Sequence, residues 1–330
     1  MPKATIVVPA FNVTRTLPET LRSLRAQTER DLEIVIVDDG SHDETPAIAA
    51  QAMARDARIR VLRQANRGLA GARNTGIAAA RGAYIGFCDA DDIWEPQKLA
   101  AHIRHLDANP RVGLSFSGSL LVDDDNRALG LVQAPRLMGI TAAHVFKRNP
   151  IGNGSAAVMR REAADAIAYR PSHETERDWV FDETFAQSED IECWLRLALT
   201  TDWHIEGVPG ALLRYRVNGA GLSAATDRQL ASWEDMVRKL TPIAPDFFAD
   251  HAPTARAYQL RYLARRAVAS GDGPRAWALI VEALKSSRRP ITEEPAKTLT
   301  TLAAACVMRS AAGSNLMRRA ARMLRPSHGA

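Results

Sequence analysis

Three aspartates in a 330-residue chain stand where they could hold a metal ion. Asp89, Asp91 and Asp92 directly follow an apolar run, AYIGFC, that predicts a strand. Side chains two residues apart on a strand point to the same side, so the carboxylates of Asp89 and Asp91 repel each other unless a cation lies between them. Such oxygen ligands suit Mg²⁺ or Mn²⁺ that arrives with substrate phosphates. Capping of the next helix by Asp91 or Asp92 is the alternative, and it explains one carboxylate but not three.

A second acidic pair, Asp38 and Asp39, follows the apolar run EIVIV. One interpretation is a strand-to-helix turn in which Ser41 caps the helix. The other is a site for a ligand that presents hydrogen-bond donors, such as the imide of a nucleobase. The sequence alone leaves the two interpretations equal.

Two further segments carry groups that suit a phosphorylated substrate. Residues 66–76, NRGLAGARNTG, are rich in glycine and arginine, which is typical of a solvated helix start or of a loop that brings arginine to phosphate. Glu189 and Asp190 open a predicted helix, where acidic residues favour the N-terminus. The functional alternative is that a carboxylate here acts as a general base.

Alternating strand and helix patterns over the first ~115 residues position these groups. The predicted strands cover residues 5–8, 33–37, 58–62, 83–88 and 112–116. The alternation predicts an α/β fold with a mostly parallel sheet, in which ligands bind beyond the C-terminal ends of the strands. Residues 9–12, 38–41 and 89–92 are therefore expected at one edge of the sheet. Residues 226–325 have a helical pattern, with a break at 270–274.

Composition and charge narrow the class of protein. Hydrophobic residues make up 46% and charged residues 25%, which is typical of a globular chain. No apolar run reaches ~18 residues, so neither a transmembrane helix nor a secretory signal peptide is expected. The three cysteines are scattered without metal-ligand spacing, which indicates reduced thiols and a cytoplasmic location.

The basic charge is concentrated in the last 25 residues. Residues 306–330 hold five arginines and no acidic residue, so the rest of the chain sums to about zero against a net charge of +5. This argues against nucleic-acid binding and favours a local contact with an acidic surface. A basic amphipathic helix in 306–330 could lie on an anionic membrane, at the inner face of the cytoplasmic membrane. A solvated helix or an oligomer contact is the alternative.

Taken in order, the motifs resemble the family 2 glycosyltransferases over about residues 3–225. The matching strings are VVPAFN from residue 7, EIVIVDDGS from 33, NRGLAGARNTG from 66, DADDIW from 89, FDE from 181, SED from 188 with WLR from 194, and RYR from 214 with Ser223. The resemblance implies the GT-A fold, a Rossmann-like α/β/α sandwich, followed here by a C-terminal helical extension. The expected domains are 1–225, with a nucleotide-binding half (1–116) and an acceptor half (117–225), and the extension 226–330.

The resemblance also implies roles for particular residues. Those expected to contact the nucleotide sugar are Pro9, Phe11, Asp38, Asp39, Arg73, Asp89 and Arg216, with Asp39 facing the base and residues 214–216 in a flexible loop over the diphosphate. Asp89 and Asp91 match the D-x-D motif that carries Mn²⁺ or Mg²⁺, and Asp190 matches the catalytic base.

The activity implied is inverting transfer of a sugar from a nucleotide sugar, UDP-linked by analogy, to a saccharide or lipid-linked saccharide acceptor in bacterial surface glycan synthesis. No Q-x-x-R-W motif is present, so a non-processive enzyme is expected. One alternative is a catalytically degenerate nucleotide-sugar-binding module, although every expected carboxylate is present. Another is a nucleotidyltransferase, although the basic glycine-rich loop after the first strand is missing.

Overall fold

The computed structural model describes residues 1–217 and 226–309. The chain divides into two compact units, Met1–Val145 with Asn149–Gly221 and Phe146–Arg148 with Leu222–Ala330. The predicted boundary between residues 225 and 226 borders a segment, 218–225, outside the described residues, and it stays a prediction. The part of the predicted tail helix at 310–330 also lies outside them.

A nine-stranded sheet forms the frame of the first unit, in the order β3-β2-β1-β4-β8-β6-β9-β5 with β7 paired to β6. Its strands are β1 (Ala4–Ala10), β2 (Leu32–Asp38), β3 (Ile59–Arg63), β4 (Tyr84–Phe87), β5 (Ile93–Trp94), β6 (Val112–Val122), β7 (Ala128–Gln133), β8 (Ala157–Arg160) and β9 (His204–Arg216).

The first four strands run parallel, as the alternating pattern predicts. Every residue of β1 and β2 is buried, which is why both strands have continuous apolar sequences rather than alternating ones. The helices of this half are α1 (Leu17–Arg25), α2 (Thr45–Arg55), α3 (Gly68–Ala79) and α4 (Lys98–Ala108). The mixed α/β fold is therefore confirmed for this part of the chain.

Antiparallel pairing begins at β8, which lies between β4 and β6. The long strand β9, parallel to β6, is not among the predicted strands because Gly207, Pro209 and Gly210 interrupt its apolar pattern. It ends at Arg216, so residues 214–216 form a strand here and the expectation of a loop is wrong. The helices of this half are α5 (Ala142–Arg148), α6 (Arg161–Ala166) and α7 (Glu189–Thr200).

The second unit is helical, as predicted for the extension. Its helices are α8 (Thr226–Leu240), α9 (Pro245–Ser270), α10 (Gly273–Ser286), α11 (Arg289–Glu293) and α12 (Pro295–Met308). The predicted break between α9 and α10 is present: Gly271 has φ +84°, and Asp272 accepts a hydrogen bond from the Arg275 amide at 3.0 Å. Among the described helices, none has both the length and the apolar composition to cross a membrane.

Candidate active site

The C-terminal ends of β1, β2 and β4 bring the predicted site segments to one edge of the sheet. Ala10 pairs with Asp38 at the end of β1, and its carbonyl accepts a hydrogen bond from the Asp39 amide at 2.9 Å. The Cys88 amide, directly after β4, donates to the Val7 carbonyl at 3.0 Å. The parallel register therefore sets the two acidic segments on either side of β1.

Two hydrogen bonds hold the segments after β1 and β2 together. The Asn12 amide donates to Ser41 Oγ at 3.1 Å, and the His42 amide donates to Asn12 Oδ1 at 2.9 Å. Asn12 has a left-handed backbone, with φ +52°. The predicted cap at Ser41 is wrong, because α2 begins only at Thr45. Ser41 instead joins the segment after β2 to Asn12, after β1.

Pro9 and Phe11 occupy different positions at this edge. Pro9 is buried within β1, where it lies opposite Val37 in the parallel register. Phe11 follows the strand and is 45% exposed. An exposed ring at the end of a parallel strand offers a flat apolar surface for a planar ligand.

Asp38 and Asp39 are both buried, with different partners. Asp38 accepts a hydrogen bond from the Ser41 amide at 3.0 Å, and its second oxygen lies 3.3 Å from Arg63 Nε. Asp39 Oδ1 accepts from Gln64 Nε2 at 2.7 Å and from the Arg67 amide at 2.9 Å. Within residues 1–217 and 226–309, Asp39 Oδ2 receives no hydrogen bond, so this oxygen can accept one from a ligand.

The carboxylates of the D-x-D motif, Asp89 and Asp91, are both partly exposed. The Asp89 amide donates to Ser155 Oγ at 2.9 Å, which fixes the backbone after β4. Burial and the neighbouring Asp89 carboxylate raise the pKa of Asp91 to about 6. The described residues contain no group of three or more His, Cys, Asp or Glu side chains that could enclose a metal ion. Any ion here would therefore need ligands from the substrate or water.

Asp92, which directly follows the D-x-D motif, lies inside the protein. It is fully buried, and its Oδ1 accepts a hydrogen bond from the Arg216 amide at 3.0 Å. Burial, with the Asp91 and Asp89 carboxylates nearby, raises the pKa of Asp92 well above its usual value. The alternative of a helix cap at Asp91 or Asp92 is wrong, because α4 begins at Lys98.

Arg216, predicted to reach the diphosphate, instead lies inside the protein below the D-x-D turn. Its guanidinium donates to the Asp91 carbonyl at 2.9 Å, to the Asp123 carbonyl at 3.1 Å and to Glu19 Oε2 at 2.9 Å. Only 2% of its side chain is exposed. These contacts tie the D-x-D turn to β9, α1 and the turn after β6.

Arg73 joins the D-x-D motif to the start of α7. Its Nη2 donates to Asp89 Oδ1 at 2.8 Å, and its Nη1 donates to Glu189 Oε1 at 2.7 Å. The residue is 1% exposed, and its guanidinium lies 5.2 Å from the centre of the Phe181 ring. In this structure Arg73 is thus engaged with two carboxylates rather than open to a nucleotide.

Two adjacent small residues support this bridge, and no motif in the sequence points to either. A Cβ at Gly154 would lie 2.3 Å from Arg73 Nη2, so only glycine fits there. Ser155, the next residue, holds the Asp89 amide. Both belong to a segment, 150–155, that the sequence identifies only as a loop. Neither interpretation of the Glu189-Asp190 pair, helix-terminus charge or a general base, predicts the ion pair of Glu189 with Arg73.

Asp190 lies in the first turn of α7, next to Glu189. Ser188, before the helix, has a left-handed backbone with φ +64°, which is uncommon for a residue with a side chain and typical of functional sites. Burial and the Glu189 carboxylate raise the pKa of Asp190 to about 7, although Arg73 acts in the opposite direction. A carboxylate with this pKa can accept a proton near neutral pH.

Residues 180–183 are fixed to α3 through Asn74. The Asn74 side chain accepts hydrogen bonds from the Val180 and Phe181 amides at 3.0 and 2.9 Å and donates to the Phe181 carbonyl at 2.7 Å. It also donates to Glu183, which is paired with Arg67 at 2.9 Å. These hydrogen bonds thus join two of the matching strings, residues 66–76 and 181–183.

Replacing Asn74 with alanine is expected to lower the free energy of unfolding by about 3 kcal/mol, because two buried amides and a carbonyl lose their partners at about 1–3 kcal/mol for each unsatisfied group. Urea denaturation of the purified protein would measure the loss. The matched control is Asn66→Ala, an exposed amide in the same motif, with an expected change within ~0.5 kcal/mol. Equal losses in the two variants would contradict the role given to Asn74.

Comparison with known proteins identifies the family that this chain matches. The model for glycosyl transferase family 2 matches residues 5–168. The chain is 53% identical over 92 residues to the uncharacterized glycosyltransferase EpsJ of Bacillus subtilis, a match that spans 28% of this chain and 27% of that protein. It is 39% identical over 174 residues to the uncharacterized glycosyltransferase alr2836 of Nostoc, spanning 50% and 53%. It is 42% identical over 109 residues to the succinoglycan biosynthesis protein ExoO of Rhizobium meliloti, spanning 33% and 31%. These matches thus span between about a quarter and about half of the relatives' own length.

Solved structures share the fold. Residues 1–349 of S. aureus TarS, in complex with UDP-GlcNAc, align with a TM-score of 0.57 and 16% identity, covering 96% of this chain and 92% of that one. The mannosyltransferase PcManGT from Pyrobaculum calidifontis, in complex with GDP-Man and Mn²⁺, aligns with a TM-score of 0.56 and 21% identity, covering 93% and 87%. The expected GT-A fold is confirmed by these similarities.

Proposed function

Because the chain belongs to glycosyltransferase family 2 through residues 5–168, we propose that it transfers a sugar from a nucleotide sugar to an acceptor hydroxyl. The transfer is a single displacement with inversion at the anomeric carbon. An α-linked donor then gives a β-linked product. The enzyme adds one sugar at a time.

The Arg73 bridge is the observation that carries this proposal. One guanidinium contacts Asp89 of the D-x-D motif and Glu189, the neighbour of Asp190. The carboxylates at the leaving group and the carboxylate at the acceptor must flank one sugar, and the bridge sets both groups around a single site. A binding module without catalysis would not need a carboxylate of raised pKa beside its ligand site.

The donor side of the site suits a UDP-sugar. Phe11 offers an exposed ring, and Asp39 keeps one carboxylate oxygen for the imide N–H of uracil. The similarity in fold to TarS, solved with UDP-GlcNAc, supports this choice, whereas PcManGT was solved with GDP-Man. Asp38, with both oxygens directed to Ser41 and Arg63, positions the turn rather than the base.

Asp89 and Asp91 fit a divalent cation that arrives with the diphosphate. Both offer hard oxygen ligands. Burial raises the pKa of Asp91 most, and the Asp89 carboxylate adds to it through a repulsion that a cation would relieve. A cation bound there would offset the negative charge that develops on the departing diphosphate. Mn²⁺ and Mg²⁺ are the candidates, as the oxygen ligands of the motif predict.

Asp190 accepts the proton of the acceptor hydroxyl as that oxygen attacks the anomeric carbon. Its pKa near 7 makes it a better base than an ordinary aspartate while leaving it largely ionised in slightly alkaline solution. Glu189, held by Arg73, stays beside it and keeps that pKa high. Arg73 and Arg216 position the acidic groups from inside the protein.

The acceptor is a saccharide or a lipid-linked saccharide, and the product belongs to a surface polysaccharide. The likeness to the succinoglycan biosynthesis protein ExoO supports this assignment. Turnover assays with UDP-, GDP- and dTDP-sugars and a panel of saccharide acceptors would test the function. Binding of a nucleotide sugar without transfer to any acceptor would favour the degenerate binding module.

Asp91→Asn is expected to abolish the Mn²⁺-dependent part of UDP binding. In the wild-type protein, UDP at 100 times its dissociation constant should add about 2.7 kcal/mol of stability, seen as a thermal shift that needs Mn²⁺. The variant should lose this shift because one of two protein ligands becomes a neutral amide.

The matched control is Asp125→Asn, an exposed aspartate in the turn after β6, which should keep the full shift. A shift that survives in Asp91→Asn would remove Asp91 from the metal site. A shift with GDP or dTDP but not with UDP would keep the enzyme class and exclude uracil recognition at Asp39.

A further inference from the structure

An open apolar groove of about 730 Å³ lies in the helical unit, between α10, α11 and α12. Its apolar lining consists of Trp277, Val281, Leu284, Ile291 and Leu302, all only partly buried. These side chains are not part of the fully buried core of this unit. They form an apolar surface that the described helices α8 to α12 do not cover.

The charged side chains that line this groove are cationic. Lys285 and Arg288 are exposed, and neither makes an ion pair with any residue of 1–217 or 226–309. Arg309, at the end of α12, lies with its guanidinium 5.3 Å from the centre of the Trp277 ring. No aspartate or glutamate is among the lining residues. An apolar groove with a positive rim matches a ligand with an apolar body and an anionic head.

The apolar surface continues along α12. Leu299 is 52% exposed, and it shares a helix face with the groove residue Leu302 and with Cys306 at the 3- and 7-residue spacing of a helix. Val307 is exposed nearby in the last turn. Exposed apolar groups that adjoin a groove mark an interaction surface rather than an ordinary solvated helix.

The charge of each possible occupant of the groove shows which one suits its cationic rim. Residues 310–330 of this chain hold four arginines and no acidic residue, so they would meet the cationic rim with like charge. A second copy that used the same groove would also bring two cationic rims together. A bilayer with anionic phospholipids offers acyl chains for the groove and phosphates for Lys285 and Arg288.

We propose that the groove between α10, α11 and α12 binds anionic phospholipid at a membrane surface, with an acyl chain against Trp277 and Leu302 and a headgroup phosphate at Lys285 and Arg288. This site differs from the basic tail, most of which lies outside the described residues. Binding would hold the enzyme at a membrane surface whether or not donor is present.

Co-sedimentation of the full chain with phosphatidylcholine vesicles, with and without phosphatidylglycerol, would test the proposal. Wild-type protein should bind only the anionic vesicles, and Lys285→Glu with Arg288→Glu should weaken binding at least about tenfold. The matched control, Arg55→Glu with Arg104→Glu, makes the same charge change at exposed positions on α2 and α4 and should bind like wild type. Equal binding by the groove and control variants would overturn the proposal.

Tryptophan fluorescence gives a second readout at the groove itself. Anionic vesicles with brominated acyl chains should quench part of the emission, and Trp277→Phe should remove that part while still binding the vesicles. Absence of quenching at Trp277 would overturn the proposal. So would loss of binding and quenching on deletion of residues 310–330 alone, with the groove variants unaffected. Neither measurement needs donor, acceptor or turnover, so the result does not depend on the proposed transferase activity.

Discussion

Replacement of Asp190 by asparagine is expected to lower kcat by about 10²–10⁴-fold, because general-base catalysis contributes about that much. The amide keeps the shape of the side chain and cannot take the acceptor proton. Donor binding should remain, because the proposed donor contacts come from other residues. Initial rates with saturating donor, together with the thermal shift by UDP and Mn²⁺, would measure both.

The pH dependence provides the control for this assignment. In the wild type, kcat/KM should rise about tenfold per pH unit below pH 7 and level off above it, as Asp190 loses its proton. The variant should lack this acid limb. The same limb in Asp190→Asn would assign it to another group and contradict the role of Asp190 as base.

With rising pH the free energy of unfolding should fall, whereas kcat/KM should rise. The pKa of Asp190 is about 7 in the folded state and near 4 when unfolded, so the folded state binds the proton more tightly. The folded state therefore loses stability as pH rises between these values. Asp190→Asn should be more stable than wild type at pH 8, and the difference should shrink as pH falls towards 4. Thermal unfolding across this range would show it.

Arg73→Met is expected to lower the free energy of unfolding by about 3 kcal/mol. Removal of one partner from a buried ion pair costs about 3–5 kcal/mol, and the lower end applies because Asp89 is partly exposed. Without the guanidinium, Asp89, Glu189 and Asp190 repel one another. Urea denaturation would measure the loss. The loss should be smaller at pH 5 than at pH 8, because Asp190, with a pKa of about 7, is protonated at pH 5 and no longer adds to the repulsion.

A double-mutant cycle separates this charge effect from lost packing. Arg73→Met with Glu189→Gln should be less destabilised than the sum of the two single changes, because the amide leaves one carboxylate fewer to repel. In enzyme that still folds, Arg73→Met should shift the acid limb of the pH–rate profile upwards, since the Arg73 charge lowers the pKa of Asp190. Additive losses with an unmoved acid limb would limit Arg73 to a packing role.

The strand ends of the site could be predicted from local patterns. Buried parallel strands have continuous apolar sequences, and their register sends the residues that follow them to one edge. Asp38, Asp39, Asp89 and Asp91 were therefore placed at one edge correctly. The family resemblance added Asp190, which local pattern alone would have left as an ordinary helix start.

The connections between these elements could not be predicted. Arg73 and Glu189 are 116 residues apart, and nothing in either neighbourhood indicates that they meet. The Arg73 side chain fits only because residue 154 is glycine. Glycine is required there because the guanidinium approaches the backbone closely, and not because the chain turns. The family resemblance implies a flexible loop at residues 214–216, whereas pairing of β9 with β6 up to Arg216 makes this segment a strand.

The position of Arg216 has a consequence for synthesis of the chain. Arg216 donates a hydrogen bond to the carbonyl of Asp91, which lies 125 residues earlier in the sequence. Arg216 belongs to β9, which pairs with β5 and β6. At about 5–20 residues per second, a ribosome needs several seconds to a few tens of seconds to make that interval. Throughout that time the nascent chain holds the aspartates of the D-x-D turn without the arginine that fixes them. The proposed binding of metal and donor would thus arise late in translation, when β9 leaves the exit tunnel, and not when residues 1–116 have been made.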